Sequence, residues 1–146
     1  MQITSYTDYA LRVLIYLAIS NKPQATITEI ADYFAISRNH LVKVVHQLGS
    51  KGFIKTTRGK GGGISLQRPP ELIRIGDVVR NMEKNFHWVE CFDPAQQRCK
   101  LNRGCGLKSL LAKAGNAYLQ TLDSATLADV LSGTMAVSSF LPKIDE

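Results

Sequence analysis

Residues 26–67, TITEIADYFAISRNHLVKVVHQLGSKGFIKTTRGKGGGISLQ, decide the fold. Thr26 with Glu29 three residues on makes a capping box, and Ile27, Ile30, Ala31 and Phe34 follow at helical spacing. After the interval Ala35–Ser37, Ser37 can cap a further helix. Its Leu41, Val44 or Val45, and Leu48 face inward, while Arg38, Asn39, His40, Lys43, His46 and Gln47 point out. Gly49 and Gly52 bring that helix to a stop. Two helices joined by so short a turn form a helix-turn-helix, with the second placed as the reader of a major groove. Phe53–Thr57 and Ile64–Gln67 are β-compatible and flank Arg58-Gly59-Lys60-Gly61-Gly62-Gly63, which predicts a hairpin with a basic, glycine-rich tip. The order of elements is that of a winged helix. Glycines let the backbone approach phosphates, and Arg58 and Lys60 are placed for DNA backbone or minor groove. The tip is no nucleotide P-loop, because it lacks the required Gly-Lys-Ser/Thr spacing and precedes a strand. His40 and His46, on an exposed face, read as polar surface or phosphate contacts rather than metal ligands.

Working outward, Thr4–Ser20 is apolar around most of its circumference and predicts a buried first helix. Its apolar run, Leu11–Ile19, is too short to span a membrane, and Asp8 and Arg12 interrupt its start, so no membrane partner is expected and the protein is placed in the cytoplasm. Pro69-Pro70 breaks the chain after the wing, and Ile75, Val78, Val79 and Met82 mark a fourth helix packing back on the first domain. From Asn85 to Gly106 regularity fails. Beyond it Leu107, Leu110, Leu111, Ala114, Ala117, Tyr118 and Leu122 recur at steps of three and four, a stripe too long for a small appendage to cover alone. It predicts pairing with a second copy, with packing against the chain's own first domain as the alternative. Thr126 with Asp129 starts a short last helix, Leu127–Leu131, which Gly133 ends. The expected organisation is mainly α: a winged-helix DNA-binding domain over 1–84, a metal-binding loop over 85–106, and a dimerisation helix with a short helix over 107–146.

Charge separates the halves. Residues 1–68 carry 9 Lys/Arg against 3 Asp/Glu and residues 69–146 carry 9 against 9, so the whole net charge of +6 lies in the half with the helix-turn-helix. A double-stranded DNA operator is the leading partner. No H-E-x-x-H, G-x-S-x-G or comparable catalytic set is present, and no enzyme activity is expected.

All three cysteines, Cys91, Cys99 and Cys105, fall in the irregular stretch. An odd number leaves no complete disulfide set, and reduced thiols of a cytosolic protein are available to a metal. The spacing Cys91-x7-Cys99-x5-Cys105 has no close C-x2-C knuckle, the usual mark of structural zinc, and an iron–sulfur cluster is preferred to zinc on that ground. Three thiolates leave one ligand to come from elsewhere. An oxygen or nitrogen donor there is more readily displaced than sulfur, as a gas sensor requires. His87 is the nearest candidate by sequence. A zinc or dithiol protein without specific operator binding is the reading from another class.

The segments Thr4-Ser5-Tyr6-Thr7-Asp8-Tyr9-Ala10-Leu11-Arg12 and Ser37-Arg38-Asn39-His40-Leu41-Val42-Lys43, the Arg58–Ile64 wing, Ile75-Gly76-Asp77-Val78-Val79 and the three-cysteine loop resemble the Rrf-type family of bacterial winged-helix repressors. Val89-Glu90-Cys91-Phe92-Asp93 and Cys105-Gly106-Leu107-Lys108 look most like its nitric-oxide-sensing subfamily. That resemblance implies a homodimeric repressor joined through the helix starting near Leu107. It implies a cluster in each subunit, 4Fe-4S rather than 2Fe-2S, on Cys91, Cys99 and Cys105, and nitric oxide as signal. It also implies that Asp8 reaches across from the partner subunit as fourth ligand; the i,i+4 spacing of Asp8 and Arg12 places Arg12 to hold it. Iron, cluster supply or redox state is the alternative signal within the family. For DNA contact, Ser37, Arg38, Asn39, His40 and Lys43 are expected in the major groove, and Arg58 and Lys60 on the wing.

Overall fold

The computed structural model of the chain describes residues 2–96, 98–101 and 104–132. Helix α1, Ser5–Ile19, is capped by Thr4, whose hydroxyl accepts from the Thr7 amide, and it runs through the middle of the core. Ala10, Val13 and Leu14 are fully buried, but Tyr9, Leu11, Ile15 and Leu17 are only half covered. The helix is therefore central without being enclosed, because no element lies over its outer flank among the described residues.

Helix α2, Ile27–Phe34, begins with the expected capping box. The Glu29 carboxylate accepts from the Thr26 amide at 2.6 Å, and the Glu29 amide donates to the Thr26 hydroxyl at 3.2 Å. The Lys22 ammonium donates to the same carboxylate at 2.5 Å, and this bond, followed by that from the Thr26 amide, holds Glu29 below the ordinary carboxylate range. A lowered folded-state pKa contributes stability above the unfolded value and loses it as pH falls through the folded one, so the box weakens only on acidification. Thr26→Ala removes the cap and is expected to cost about 1 kcal/mol, read as a lower urea midpoint at unchanged slope.

The turn to the next helix has no glycine. Ala35 sits in the left-handed region at φ 52°, ψ 42°, and the Ile36 amide closes back on the Ala31 carbonyl at 2.9 Å while Ile36 is buried. This is a Schellman closure, with an alanine in the position that glycine occupies at lower cost. Helix α3, Arg38–Ser50, follows. Leu41, Val44, Val45 and Leu48 all face the core, so both valines point inward. Ser37 is the N-cap residue by position, but its hydroxyl makes no capping bond, and Gly49 lies within the last turn. Gln47 departs from the expected outward face: it is half-buried, and its amide donates to the Asn81 carbonyl at 2.7 Å.

Strands β1, Ile54–Thr57, and β2, Gly63–Leu66, pair antiparallel with Ile54 opposite Leu66 and Thr57 opposite Gly63. Ala25 exchanges two backbone hydrogen bonds with Ile64, 2.9 and 2.8 Å, fastening the wing to the start of α2. A 3-10 turn at Pro70–Leu72 leads to α4, Ile75–Met82, whose Val78, Val79 and Met82 close the core from below. Helix α5, Gly106–Asp123, is tied to α4 by a bidentate pair between the Arg80 guanidinium and the Asp123 carboxylate. The last described helix, α6, Leu127–Ser132, returns to the core. Leu127 is fully buried, its amide donates to the Ile73 carbonyl at 2.8 Å, and the Ile75 amide donates to the Ala125 carbonyl at 3.0 Å. Thr126 and Asp129 form the second capping box. Gly133 lies outside the described residues.

Candidate nucleic-acid interface and cysteine loop

The outward face of α3 presents Arg38, Asn39, His40, Lys43 and His46, all exposed, with Ser37 exposed at its N-terminus. Two bonds from behind fix this helix. The Tyr6 hydroxyl on α1 donates to the Lys43 carbonyl at 2.8 Å, and burial pushes the Tyr6 phenol up, so it stays a donor. Gln47 fixes it to α4 from the other side. The wing tip beyond β1 carries exposed Arg58 and, between Gly59 and Gly61, exposed Lys60; the φ angles of these two glycines, 101° and 79°, are ones that glycine adopts without strain.

Between Asp32 and Glu71 the chain holds seven basic residues, Arg38, Lys43, Lys51, Lys55, Arg58, Lys60 and Arg68, and no acid. Arg68 is not part of the outward surface, since its guanidinium stacks 5.2 Å from the Phe53 ring centroid and donates to the Gly52 carbonyl at 3.1 Å. The remainder of the set makes a one-sign field on α3 and the wing, the electrostatic footprint of a polyanion site.

The cysteine loop leaves α4 at Met82 and rejoins regular structure at α5. Cys91 lies half-buried in a 3-10 turn, Glu90–Phe92, Cys99 is exposed, and Cys105 is the half-buried residue preceding α5. All three thiols are free. Among the described residues no three His, Cys, Asp or Glu side chains converge as a ligand set. The donor chemistry nonetheless fits an iron–sulfur cluster: three soft thiols stand on one segment held by single turns, so drawing them together breaks no long helix or sheet ladder. His87 sits at the loop's edge, its Nδ1 3.8 Å from an Asp93 oxygen and its amide bonded to the Asn85 side chain. Asp8 is paired with Arg12 at 2.8 Å on α1, both somewhat under half exposed, and Arg12 lies 5.8 Å from the Phe34 ring centroid. A pair this open is worth about 0.3 kcal/mol, so the carboxylate is held but not committed.

The Rrf2 family, described as an iron-dependent transcriptional regulator, matches residues 3–133. The chain belongs to the Rrf2 family. It is 50% identical over 132 residues to the HTH-type transcriptional regulator NsrR of Bacillus licheniformis, covering 90% of this chain and 92% of that one. To NsrR of Bacillus subtilis (strain 168) it is 46% identical over 142 residues, 97% of each chain. Among solved structures, CymR (YrzC), the global cysteine regulator of B. subtilis, superposes with a TM-score of 0.73 at 27% identity over 92% of this chain and 98% of its own. IscR of T. potens gives 0.73 at 25% identity over 91% and 88%.

As an Rrf2 protein the chain is a winged-helix, DNA-binding transcription regulator and not an enzyme. Among the described residues no helix is long and apolar enough to cross a membrane. Three features of this Rrf2 regulator had no signature in its sequence. Tyr6 and Gln47 look like surface residues until the helices they touch are placed. Trp88 looks like a loop residue, yet it packs on α5. The predicted α5 stripe divides: Leu107 and Leu110 are each 62% exposed, whereas Tyr118 meets Trp88 and Leu122 packs on the chain's own core.

Proposed function

We propose that this Rrf2 regulator is a cytoplasmic, homodimeric repressor that holds operator DNA until nitric oxide reaches an iron–sulfur cluster bound by Cys91, Cys99, Cys105 and Asp8 of the partner subunit. The observation that carries it is three free thiols on one irregular loop directly preceding a helix whose first two turns present exposed Leu107 and Leu110. The choice of 4Fe-4S over 2Fe-2S follows from the resemblance to the nitric-oxide-sensing subfamily and not from the spacing of the thiols. When bound, such a cluster supplies iron open to attack by nitric oxide at its weakest ligand.

The chain's own residues supply the rest. Leu107, Leu110, Ala114 and Ala117 pair with their copies, burying a face too apolar to remain in water. Ser37, Arg38, Asn39, His40 and Lys43 enter the major groove, and Arg58 and Lys60 neutralise phosphates or reach the minor groove. Two heads must match half-sites about one helical turn apart, so any tie between one subunit's loop and the other's α1 sets their spacing. Release of Asp8 returns it to Arg12 and frees α1, with Tyr6 and its hold on Lys43, from the partner.

Lys60→Ala is expected to lower the salt slope of operator binding by about one unit, measured by titration across potassium chloride concentrations. Asp8→Ala is expected to keep DNA binding and lose either cluster stability or the normal nitric oxide response, and a normal cluster with a normal response rules Asp8 out as ligand. The deciding experiment measures iron, sulfide and zinc in anaerobically purified protein, then follows absorption and operator mobility during stepwise addition of nitric oxide. Iron and sulfide in equal amounts, bleaching together with operator release, support the reading. Zinc, or no metal with full operator binding, rejects it. The family's description as iron-dependent favours one second reading, iron or cluster supply as the signal, in which iron chelation and not nitric oxide releases the operator.

A further inference from the structure

Trp88 is the chain's one tryptophan, and it stands three residues before Cys91. Its ring lies directly on the backbone of α5 at Gly115, the one residue of that helix that is buried. A Cβ added at Gly115 would fall 2.5 Å from both Cη2 and Cζ3 of the ring, so the contact exists only because the position is glycine. One turn on, Tyr118 meets the ring edge-on with centroids 6.0 Å apart. Between Trp88 and Cys91 the chain has little slack: the Phe92 amide bonds to the Val89 carbonyl at 3.0 Å and the Asp93 amide to Glu90 at 3.1 Å, closing the turn that carries the thiol.

The ring also borders two cavities. It helps line one of about 350 Å³ together with Cys91, Phe92, Ala112, Gly115 and Leu119. It also lines one of about 1060 Å³ that reaches Tyr6 on α1, Gln47 on α3 and Glu83 after α4. Those three residues are themselves bonded across elements, Tyr6 to Lys43, Gln47 to Asn81 and Glu83 to Thr4. A shift of the Cys91 turn therefore moves a large, rigid side chain seated on α5 and facing the groups that position the recognition helix.

We propose that Trp88 is the positioning residue that passes the state of Cys91 to α5 and thence to the DNA-reading face. The inference rests on the reading of the cysteine loop as the sensing element, but it does not require that the loop hold a cluster. The test uses full-length, metal-free protein carrying Cys99→Ser and Cys105→Ser, so that N-ethylmaleimide modifies Cys91 alone. Tryptophan emission then reports Trp88 and mobility shift reports operator affinity. With Trp88 present, alkylation is expected to red-shift the emission and to change the reduced operator affinity that this cluster-free background retains by at least about fivefold, the lower end of ordinary allosteric coupling. In Trp88→Ala the affinity change is expected to vanish, and Trp88→Phe, which keeps a ring on Gly115, restores part of it. Gly115→Ala, which displaces the ring while keeping it in the chain, is expected to red-shift the emission before alkylation and to blunt the response.

A Trp88→Ala chain that responds as fully as its Trp88 parent overturns the proposal, and so does a Trp88-containing chain in which alkylation moves neither emission nor affinity. Absence of iron and sulfide from the anaerobically purified wild type overturns the cluster assignment instead and leaves this result standing.

Discussion

Serine in place of any one of Cys91, Cys99 or Cys105 is expected to give a folded protein that retains no iron or sulfide through anaerobic purification. Losing an outer-shell partner alone costs a metal site about 10- to 100-fold in affinity, and losing a thiolate ligand removes more. The fold is expected to be indifferent, because none of the three thiols belongs to the core: Cys99 is exposed, and Cys91 and Cys105 are half-buried in the loop and at its junction with α5. Substitutions at such places stay within about 0.5 kcal/mol. Operator affinity is then expected to fall to that of the cluster-free wild type, a loss of roughly 30- to 150-fold if the coupling is about 2–3 kcal/mol. Iron and sulfide assays, a thermal melt and a mobility shift on the same preparations check all three statements. A serine variant that keeps its full iron and sulfide would remove that cysteine from the ligand set.

The second large effect falls on two adjacent residues of α3. Leu41 is fully buried on α3, the helix that packs against α1 and α2, and Leu41→Ala is expected to cost about 2–5 kcal/mol through lost transfer energy and the cavity left behind. Against a total stability of about 5–15 kcal/mol that is a severe loss, read as a melting temperature lower by roughly 6–15 °C and loss of operator binding at physiological temperature. His40, one residue earlier, is exposed, and His40→Ala is expected to leave the melt within about 0.5 kcal/mol of wild type while weakening operator binding by about 1–3 kcal/mol if it contacts a base. The pair separates what α3 does for the core from what it does for DNA. A melt shifted by His40→Ala, or an unshifted one for Leu41→Ala, would mean that the helix is turned differently on the core.

What could be read from the chain was chemistry local in sequence. Thr26 with Glu29 and Thr126 with Asp129 announce helix starts because each box closes within three residues, and both form as expected. The hairpin followed from two short β-compatible segments around a run of glycines, and the cysteine set from its own clustering. What failed to show depends on partners far along the chain. Gln47 is polar and stands next to outward-facing His46, so nothing local reveals the Asn81 carbonyl 34 residues on that turns it inward. Ala35 carries no turn signature, and its left-handed conformation is imposed by the burial of Ile36 and the closure onto Ala31. Trp88 and Gly115 are 27 positions apart, and neither residue type predicts the other. The proposed ligand set is likewise non-local, since Asp8 lies 83 positions from Cys91.

The two backbone bonds that join Ile73 and Ile75 to Leu127 and Ala125 bring the chain back to the place it left. Everything between the end of α4 and the start of α6 is thereby an insert rooted at both ends in one small patch of the DNA-reading head. Such a rooted insert can lengthen, shorten or exchange its donor atoms without altering the register of the helices that read bases. Selection can then change what the protein listens to while leaving what it reads alone. Drift in the spacing of the loop's cysteines among descendants of one ancestor is the expected trace of that freedom, and the residues around Leu127 should resist it.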